Sequence, residues 1–325
     1  MSQKKIWALL DDRAGNTSQT LGVAEALGVP FETRKIAFNG LIKLPNFLVN
    51  HNRLGFGKTS ELAPPWPDIT IGTARRLGIA ASYIKSQNPN CFLVQIQWPG
   101  FPSNQFDLII PPLHDHIPPA DNVFTSLGAP HRVTDALLKK EAELWQTTLS
   151  HLPSPKIALL IGGGGSAQTV AARHADIIAK LSSRLAHTLG GSLCITTSRR
   201  TGKEMAAALP KNLSCPYYLH QWRDDDNGQA NPYYGFLGLA DAVIVTGDSV
   251  SMCSEACATG KSVYIYGADD FMSRKHKAFV EALYERGLAK PLQQTSNQLF
   301  TPPYKLNDAI SIAGEIKKRV LMQKD

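Results

Sequence analysis

The chain has 325 residues, of which 43% are hydrophobic and 19% charged, with a formal net charge of +7 and a pI near 9.1. This is a globular balance with apolar material for two domains, and the absence of any run of eighteen apolar residues excludes a transmembrane helix. The basic excess favours anionic partners such as nucleotides, phosphorylated glycans or membrane surfaces. The Lys and Arg residues are scattered, however, without a zinc-finger, RNA-recognition or helix-turn-helix pattern, so nucleic acid is not an expected partner.

MSQKKIWALLDDR starts basic and turns apolar, but it stops at two aspartates without a small-residue cleavage site. It reads as a strand rather than a signal peptide. NTSQTLGVAEALG is a helix closed by Gly28. FETRKIAF and PDITIGT are strands, ARRLGIAASYIKSQ is a helix, CFLVQIQW and FDLIIPP are strands, and NVFTSLG closes the half. Strands alternating with helices predict parallel βαβ units covered on both faces. TDALLKKEAELWQTTLSHL predicts a long helix, and the prolines of LPSPK place a domain boundary at 152/153.

The second half repeats the scheme. KIALLIGGGG is strand and turn, AQTVAARHADIIAKLSSRLAHTLGG a helix, and SLCITTS, YYLHQW and DAVIVTG are strands. SVSMCSEACATG is a helix stopped at Gly260, and SVYIYG is a strand. The last helix, LNDAISIAGEIKKRVL, carries Ile312, Ile316 and Val320 four apart, an apolar stripe that needs a surface to cover. The five cysteines, Cys91, Cys194, Cys215, Cys253 and Cys257, are odd in number and lack zinc spacing with histidines, so reduced cytosolic thiols are expected.

Four stretches carry candidate chemistry. IGGGGSAQT follows a strand and opens a helix, where close backbone approach and free N–H groups suit a phosphate. No Lys-Ser or Lys-Thr follows, so it is not a P-loop. Gly162, Gly164 and Ala167 match a dinucleotide fingerprint only loosely, and the next strand ends in Ser198, Arg199 and Arg200, which leaves only an NADP version open. Those arginines also suit bidentate contact with phosphate oxygens.

TGDSVSMCSEACATG is the most specific stretch. Asp248 or Ser249 can cap its helix, Val250, Cys253 and Cys257 share a core-facing stripe, and Ser251 and Glu255 share another. A diphosphate can sit on the serines and the free N–H groups, with Glu255 accepting both hydroxyls of a ribose. Capping alone would explain the serines. An acid set among Ala256, Ala258 and cysteines is expected to be buried and in need of partners.

In the first half, Asp11, Asp12, Arg13, Asn16 and Gln19 gather around Gly15 at a helix start, more charge than capping requires. PPLHDH offers His114 and Asp115 as a general base. A metal site is the rival reading there, but two histidines and one acid are too few, and none is expected. Asp224, Asp225 and Asp226 read as a solvated loop, with Trp222, Asn231 and Pro232 able to border a base or sugar pocket.

Together LLDDRAGNTSQTLGVAEALG, HDHIPPADNVFTSLGAPH, IGGGGS, TSRRT, NPYYGFLGLAD and DAVIVTGDSVSMCSEACATGKSVYIY resemble the elongated-mitochondria family over nearly the whole chain. The family takes its name from a plant mitochondrial-fission factor, and its bacterial members are described as candidate glycosyltransferases, some linked to lipopolysaccharide outer core. The family in turn looks like the two-domain GT-B glycosyltransferases. The resemblance implies two Rossmann-like α/β domains facing a central cleft: an acceptor side at 1–152, a nucleotide-sugar side at 153–305, and a final helix, 306–325, returning to the first domain.

By motif position Gly163, Gly164, Ser249, Ser251, Met252 and Glu255 would hold the nucleotide, with Ser198, Arg199, Arg200 and Asp248 around it. Arg13, Gly15, Asn16 and Gln19 would face the acceptor. Two aspartates stand where that front loop usually has glycines, so acceptor identity does not carry over. The expectation is a metal-independent, cytoplasmic transferase with no cofactor. Its co-substrate is a nucleotide-diphospho sugar, expected to be UDP-linked, and its acceptor a glycan or glycolipid. Asp12, then Asp115 or His114, would be the base, and the net charge would favour peripheral contact with an anionic membrane on its inner face. Rival readings are a nucleotide-sugar epimerase or hydrolase, a non-catalytic interaction protein, and an NADP oxidoreductase.

Overall fold

The computed structural model describes residues 4–100, 103–163, 168–223 and 231–321. The chain forms two contact units. The first combines residues up to Arg132 with those from Asn307 onward, and the second is Val133–Leu306.

The first unit holds β1 (Ile6–Leu10), α1 (Ala14–Ala26), β2 (Glu32–Lys35), α2 (Asn46–Val49), β3 (Ile69–Thr73), α3 (Ala74–Gln87), β4 (Phe92–Ile96) and β5 (Leu108–Ile110). Its strands form one parallel sheet in the order β2-β1-β3-β4-β5. Period-two alternation sends Trp7 and Leu9 to one face, against Leu77, Ala81 and Ile84 of α3. Ile6 and Ala8 go to the other face, against Val23 of α1 and Leu27 at its end. Burial on both faces is why the inner strands read as continuous apolar runs, whereas the edge strand β2 is charged and largely exposed.

The second unit holds α4 (Asp135–Gln146), β6 (Lys156–Ile161), α5 (Gln168–Leu189), β7 (Ser192–Thr197), α6 (Gly202–Ala208), β8 (Tyr217–His220), α7 (Tyr233–Leu239), β9 (Ala242–Thr246), α8 (Val250–Ala258), β10 (Ser262–Tyr266), α9 (Arg274–Glu285) and β11 (Lys290–Pro291). Its parallel sheet runs β11-β10-β9-β6-β7-β8. Strand order reverses at β6, which pairs with β7 on one side and β9 on the other. Ile157, Leu159 and Ile161 pack under Ala175, Ile178 and Ala179 of α5. The cysteines are buried in the cores, and burial pushes the Cys91, Cys194 and Cys257 thiols up to about 12, so they stay protonated.

The boundary expected at 152/153 lies instead at 132/133, because α4 belongs to the second unit. It packs along α7, where two glycines remove the side chains that would block it. A Cβ on Gly235 would stand 2.3 Å from Trp145, and one on Gly238 2.3 Å from the Leu138 carbonyl. The last helix, α10 (Asp308–Ile316), is part of the first unit. There Ala309, Ile312, Ala313 and Ile316 join the α1 side of the core.

Candidate functional site

In the second unit the carboxyl ends of β7, β6 and β9 stand side by side at the point where strand order reverses, the place where open α/β sheets take their ligands. The turn after β6 is tied down by its neighbours. Gly162 N–H donates to Thr246 Oγ1 at 2.7 Å, and Gly163 N–H donates to Asp248 Oδ2 at 2.7 Å. The first two glycines of the loop have a packing reason. A Cβ on Gly162 would meet Asp248 Oδ1 at 2.3 Å, and one on Gly163 the Arg200 carbonyl at 2.2 Å. Gly164 and Ala167, and with them the rest of the fingerprint, lie outside the described residues, as do Asp224, Asp225 and Asp226.

The turn after β7 folds on its own hydroxyls. Thr201 Oγ1 lies 2.7 Å from the Gly162 carbonyl and accepts from Ser198 N–H at 2.8 Å, while Ser198 Oγ accepts from Arg200 N–H at 3.2 Å. Arg199 and Arg200 are exposed, and Arg200 Nη1 lies 3.5 Å from Asp248 Oδ2. Ser249, not Asp248, caps α8, accepting from Met252 N–H. The buried Asp248 carboxylate instead joins the glycine turn to Arg200. Its Oδ1 has no hydrogen-bond partner among the described residues.

Ser251 and Met252 are half-buried in the first turn of α8. Glu255, one turn further on, is 5% exposed. Two residues of α7 grip it: Tyr233 Oη donates to Oε2 at 2.7 Å, and Tyr234 Oη to Oε1 at 3.4 Å. Burial and the adjacent carboxylate push the Tyr233 phenol well above its ordinary range, which keeps it a donor. On α9, His276 feels both Asp248 and Arg200, and burial holds its imidazole below its ordinary range. None of Tyr233, Tyr234 and His276 stood out in the sequence. The glycines of YYGFLGL mask a helix, whereas Ser273 ahead of Phe279, Val280 and Leu283 was a legible helix start.

The first unit gathers a second polar set, at the carboxyl ends of β1 and β3. Asp11 is enclosed, accepting from Arg76 Nη2 at 2.7 Å, from Asn16 Nδ2 at 3.2 Å and from Arg13 N–H at 3.1 Å. Asp12 is exposed and bonded to the same Arg76 Nη2, and that bond holds its carboxyl below the usual range, making it a weaker base than a free carboxylate. Arg13 and Gly15 are exposed. Gln19 is buried and accepts from Gln97 Nε2 at 3.1 Å, so it positions Gln97 rather than facing solvent. Gln97 (φ 64°) and Ala74 (φ 63°) both sit in the left-handed region at adjacent strand ends, a strained backbone that recurs at ligand sites.

A depression of about 560 Å³ opens beside this set, lined among others by Asp11, Asp12, Thr17, Lys35, Thr59 and Glu61. His114 and Asp115 lie in a turn after β5, three strand spacings from β1, about 14 Å, so the structure does not bring them to Asp12. Among the described residues, no group of three His, Cys, Asp or Glu side chains is placed to hold a metal.

Two parallel α/β units in one chain are the fold of the GT-B glycosyltransferases and the UDP-GlcNAc 2-epimerases. The UDP-GlcNAc 2-epimerase from Neisseria meningitidis bound to UDP-GlcNAc matches 97% of this chain and 100% of its own, at TM-score 0.56 and 14% identity. The epimerase of Methanocaldococcus jannaschii in complex with UDP-GlcNAc and UDP matches 97% and 99%, at TM-score 0.54 and 13% identity. A glycosyltransferase from Rickettsia africae matches over 100% of both chains, at TM-score 0.53 and 12% identity. Identities this low carry the fold alone.

The chain belongs to the mitochondrial fission ELM1 family, whose model matches residues 14–320. An uncharacterized protein of Rickettsia prowazekii, RP120, is 30% identical over 96% of this chain and 97% of its own length. The mitochondrial fission protein ELM1 of Arabidopsis thaliana is 34% identical over 78% of this chain, and the match covers 64% of that longer protein.

Proposed function

We infer that the second unit binds a nucleoside-diphosphate sugar and that the protein transfers the sugar to a glycan or glycolipid acceptor. One observation carries the reading: a capped helix start, a glycine turn and Arg200 meet at the switch point of the sheet, with Glu255 buried one turn along the same helix. The first N–H groups of α8 and its positive dipole end would receive the diphosphate. Glu255 would accept the ribose hydroxyls, as a carboxylate offers several acceptor positions. Asp248 Oδ1 is an acceptor for a sugar hydroxyl.

In transfer, the bond from the sugar's anomeric carbon to the diphosphate oxygen breaks. A bond to the acceptor hydroxyl forms, and the hydroxyl's proton leaves to a base. Helix dipole and Arg200 would stabilise the departing diphosphate without a metal. The UDP-GlcNAc bound in the two solved epimerases supports a UDP-linked donor. The depression beside Asp12, where Leu10, Ile36 and Ala37 join the polar side chains, is our choice for the acceptor, with Asp12 released from Arg76 as the base.

Calorimetric titration with UDP, GDP, ADP, CMP and NADPH tests the reading. One diphosphate is expected to bind, and Glu255→Ala to weaken it by about 1–3 kcal/mol, the range for an unmade buried hydrogen bond. No binding of any diphosphate sinks the reading. The family's fission relative supports one alternative, an interaction protein that keeps the fold without turnover. The absence of any diphosphate binding would favour it.

A further inference from the structure

We propose that the segment from Gly40 to Leu54 of the first unit seats the protein on an anionic phospholipid bilayer, with Leu41, Leu44, Phe47, Leu48 and Leu54 entering the interfacial layer. Among the described residues, five of the twelve exposed large apolar side chains fall in these fifteen residues, and Phe47, at 81%, is the most exposed of them. Exposed apolar residues scattered singly are ordinary on a protein surface, whereas a contiguous set marks a place of contact.

The segment is a built platform. A short turn, Gly40–Lys43, and α2 send Ile42 and Val49 inward, where with Phe56 they join the core beneath β1 and α3. The outward side chains are held by polar clamps. Arg75 donates to the Ile42 and Leu44 carbonyls at 2.8 and 2.7 Å and to Asn46 Oδ1 at 2.7 Å. Asn39 Nδ2 donates to the Leu54 and Phe56 carbonyls, and Asn52 Nδ2 to that of Leu48, which joins the two limbs of the segment. The apolar tips are thus ordered before any contact, and little entropy remains to be lost on seating.

Charge identifies the occupant. From Thr33 to Ser60 there is no Asp or Glu. Lys43 and Arg53 within the segment and Lys58 just after it are exposed, and none of the three makes an ion pair with a described residue. Exposed apolar side chains interleaved in sequence with exposed cations match the interface of an anionic leaflet, where basic residues meet the head groups and aromatic and leucine side chains the acyl boundary. A second copy docked through the same patch would oppose these cations with no acid in the segment to answer them. Among the described residues no helix is long and apolar enough to cross a membrane, so the contact is peripheral.

Co-sedimentation of the full chain with vesicles decides the matter, using 30:70 phosphatidylglycerol:phosphatidylcholine beside pure phosphatidylcholine. The wild type is expected to sediment with the anionic vesicles. Phe47→Ser/Leu54→Ser should lower that affinity at least tenfold, and Lys43→Glu/Arg53→Glu should abolish the preference for anionic lipid. Circular dichroism and UDP titration should be unchanged in both, which keeps this test separate from that of the donor site. Equal vesicle binding by Phe47→Ser/Leu54→Ser overturns the proposal. So does a wild type that stays in the supernatant, and a concentration-dependent dimer abolished by the same substitutions would then make the patch a self-interface.

Discussion

Glu255 and His276 show how much of the candidate site depends on side chains distant in sequence. Glu255 advertised its burial through its small, apolar neighbours, but the two tyrosines that satisfy it come from α7, some twenty residues away. His276 gives the site a pH signature. It is half-buried near Asp248 and Arg200, and burial holds its imidazole below its ordinary range. A bound diphosphate adds negative charge and raises its proton affinity, so binding takes up part of a proton and tightens as pH falls through the bound-state value. Below the free-state value the gain is complete. Calorimetry at pH 6.5 in buffers of different ionisation enthalpy should reveal this uptake, and His276→Gln should leave only the nucleotide's own phosphate titration. Equal uptake in both proteins would place His276 away from the ligand.

At the scale of elements, α7 is tied to α8 by the tyrosines on Glu255 and to the turn after α8 by Lys261. Lys261 Nζ donates to the Leu237 and Gly238 carbonyls at the end of α7, at 2.6 and 2.9 Å. Burial lowers its pKa from 10.5 to about 8. The unfolded chain therefore binds a proton that the folded chain has released between pH 8 and 10.5, and stability climbs with pH across that window, by about 3 kcal/mol in all. Urea unfolding at pH 7.5, 8.5 and 9.5 should show wild type gaining on Lys261→Met by up to about 1.4 kcal/mol per pH unit. A constant difference would mean that Lys261 keeps an ordinary proton affinity.

The elements themselves were largely legible, because strands buried on both faces and helices of regular apolar period write themselves into a sequence. Capping was half legible. A polar run such as GDSV announces a helix start, but the choice of Ser249 over Asp248 follows from Asp248 being drawn to the Gly163 amide, a contact across 85 residues. The same holds for Asp12. Its exposure at a strand edge could be read, whereas its pairing with Arg76 on α3 could not. Glycine misled in two ways. In IGGGGS two glycines answer to packing, and in YYGFLGL glycines that admit α4 hid a helix and with it the true boundary.

At the scale of the whole molecule, the first unit is discontinuous and the second is not. Residues 133–306 expressed alone are expected to unfold in one cooperative step and to bind the diphosphate within about threefold of the full chain. Residues 1–132 alone should fail, because α10 supplies Ile312 and Ile316 to the α1 side of the core, and losing buried side chains of this size costs about 2–5 kcal/mol each. Asp308 adds to the tie, accepting from Gly128 N–H at 2.8 Å and Leu127 N–H at 3.2 Å. Denaturant midpoints of both fragments test this, and a cooperatively folded 1–132 would show α10 to be dispensable.

That discontinuity also sets an order of events at the ribosome. The first unit emerges first but cannot close until α10 follows, about 170 residues later. At roughly 5–20 residues per second the wait is about ten to thirty seconds, long compared with the folding of the second unit in between. For that interval the α1 face, with Val23, Leu27 and Ile71, lies open as a target for chaperones and for neighbouring nascent chains. Translation speed over the second unit then sets how long that face waits for its cover.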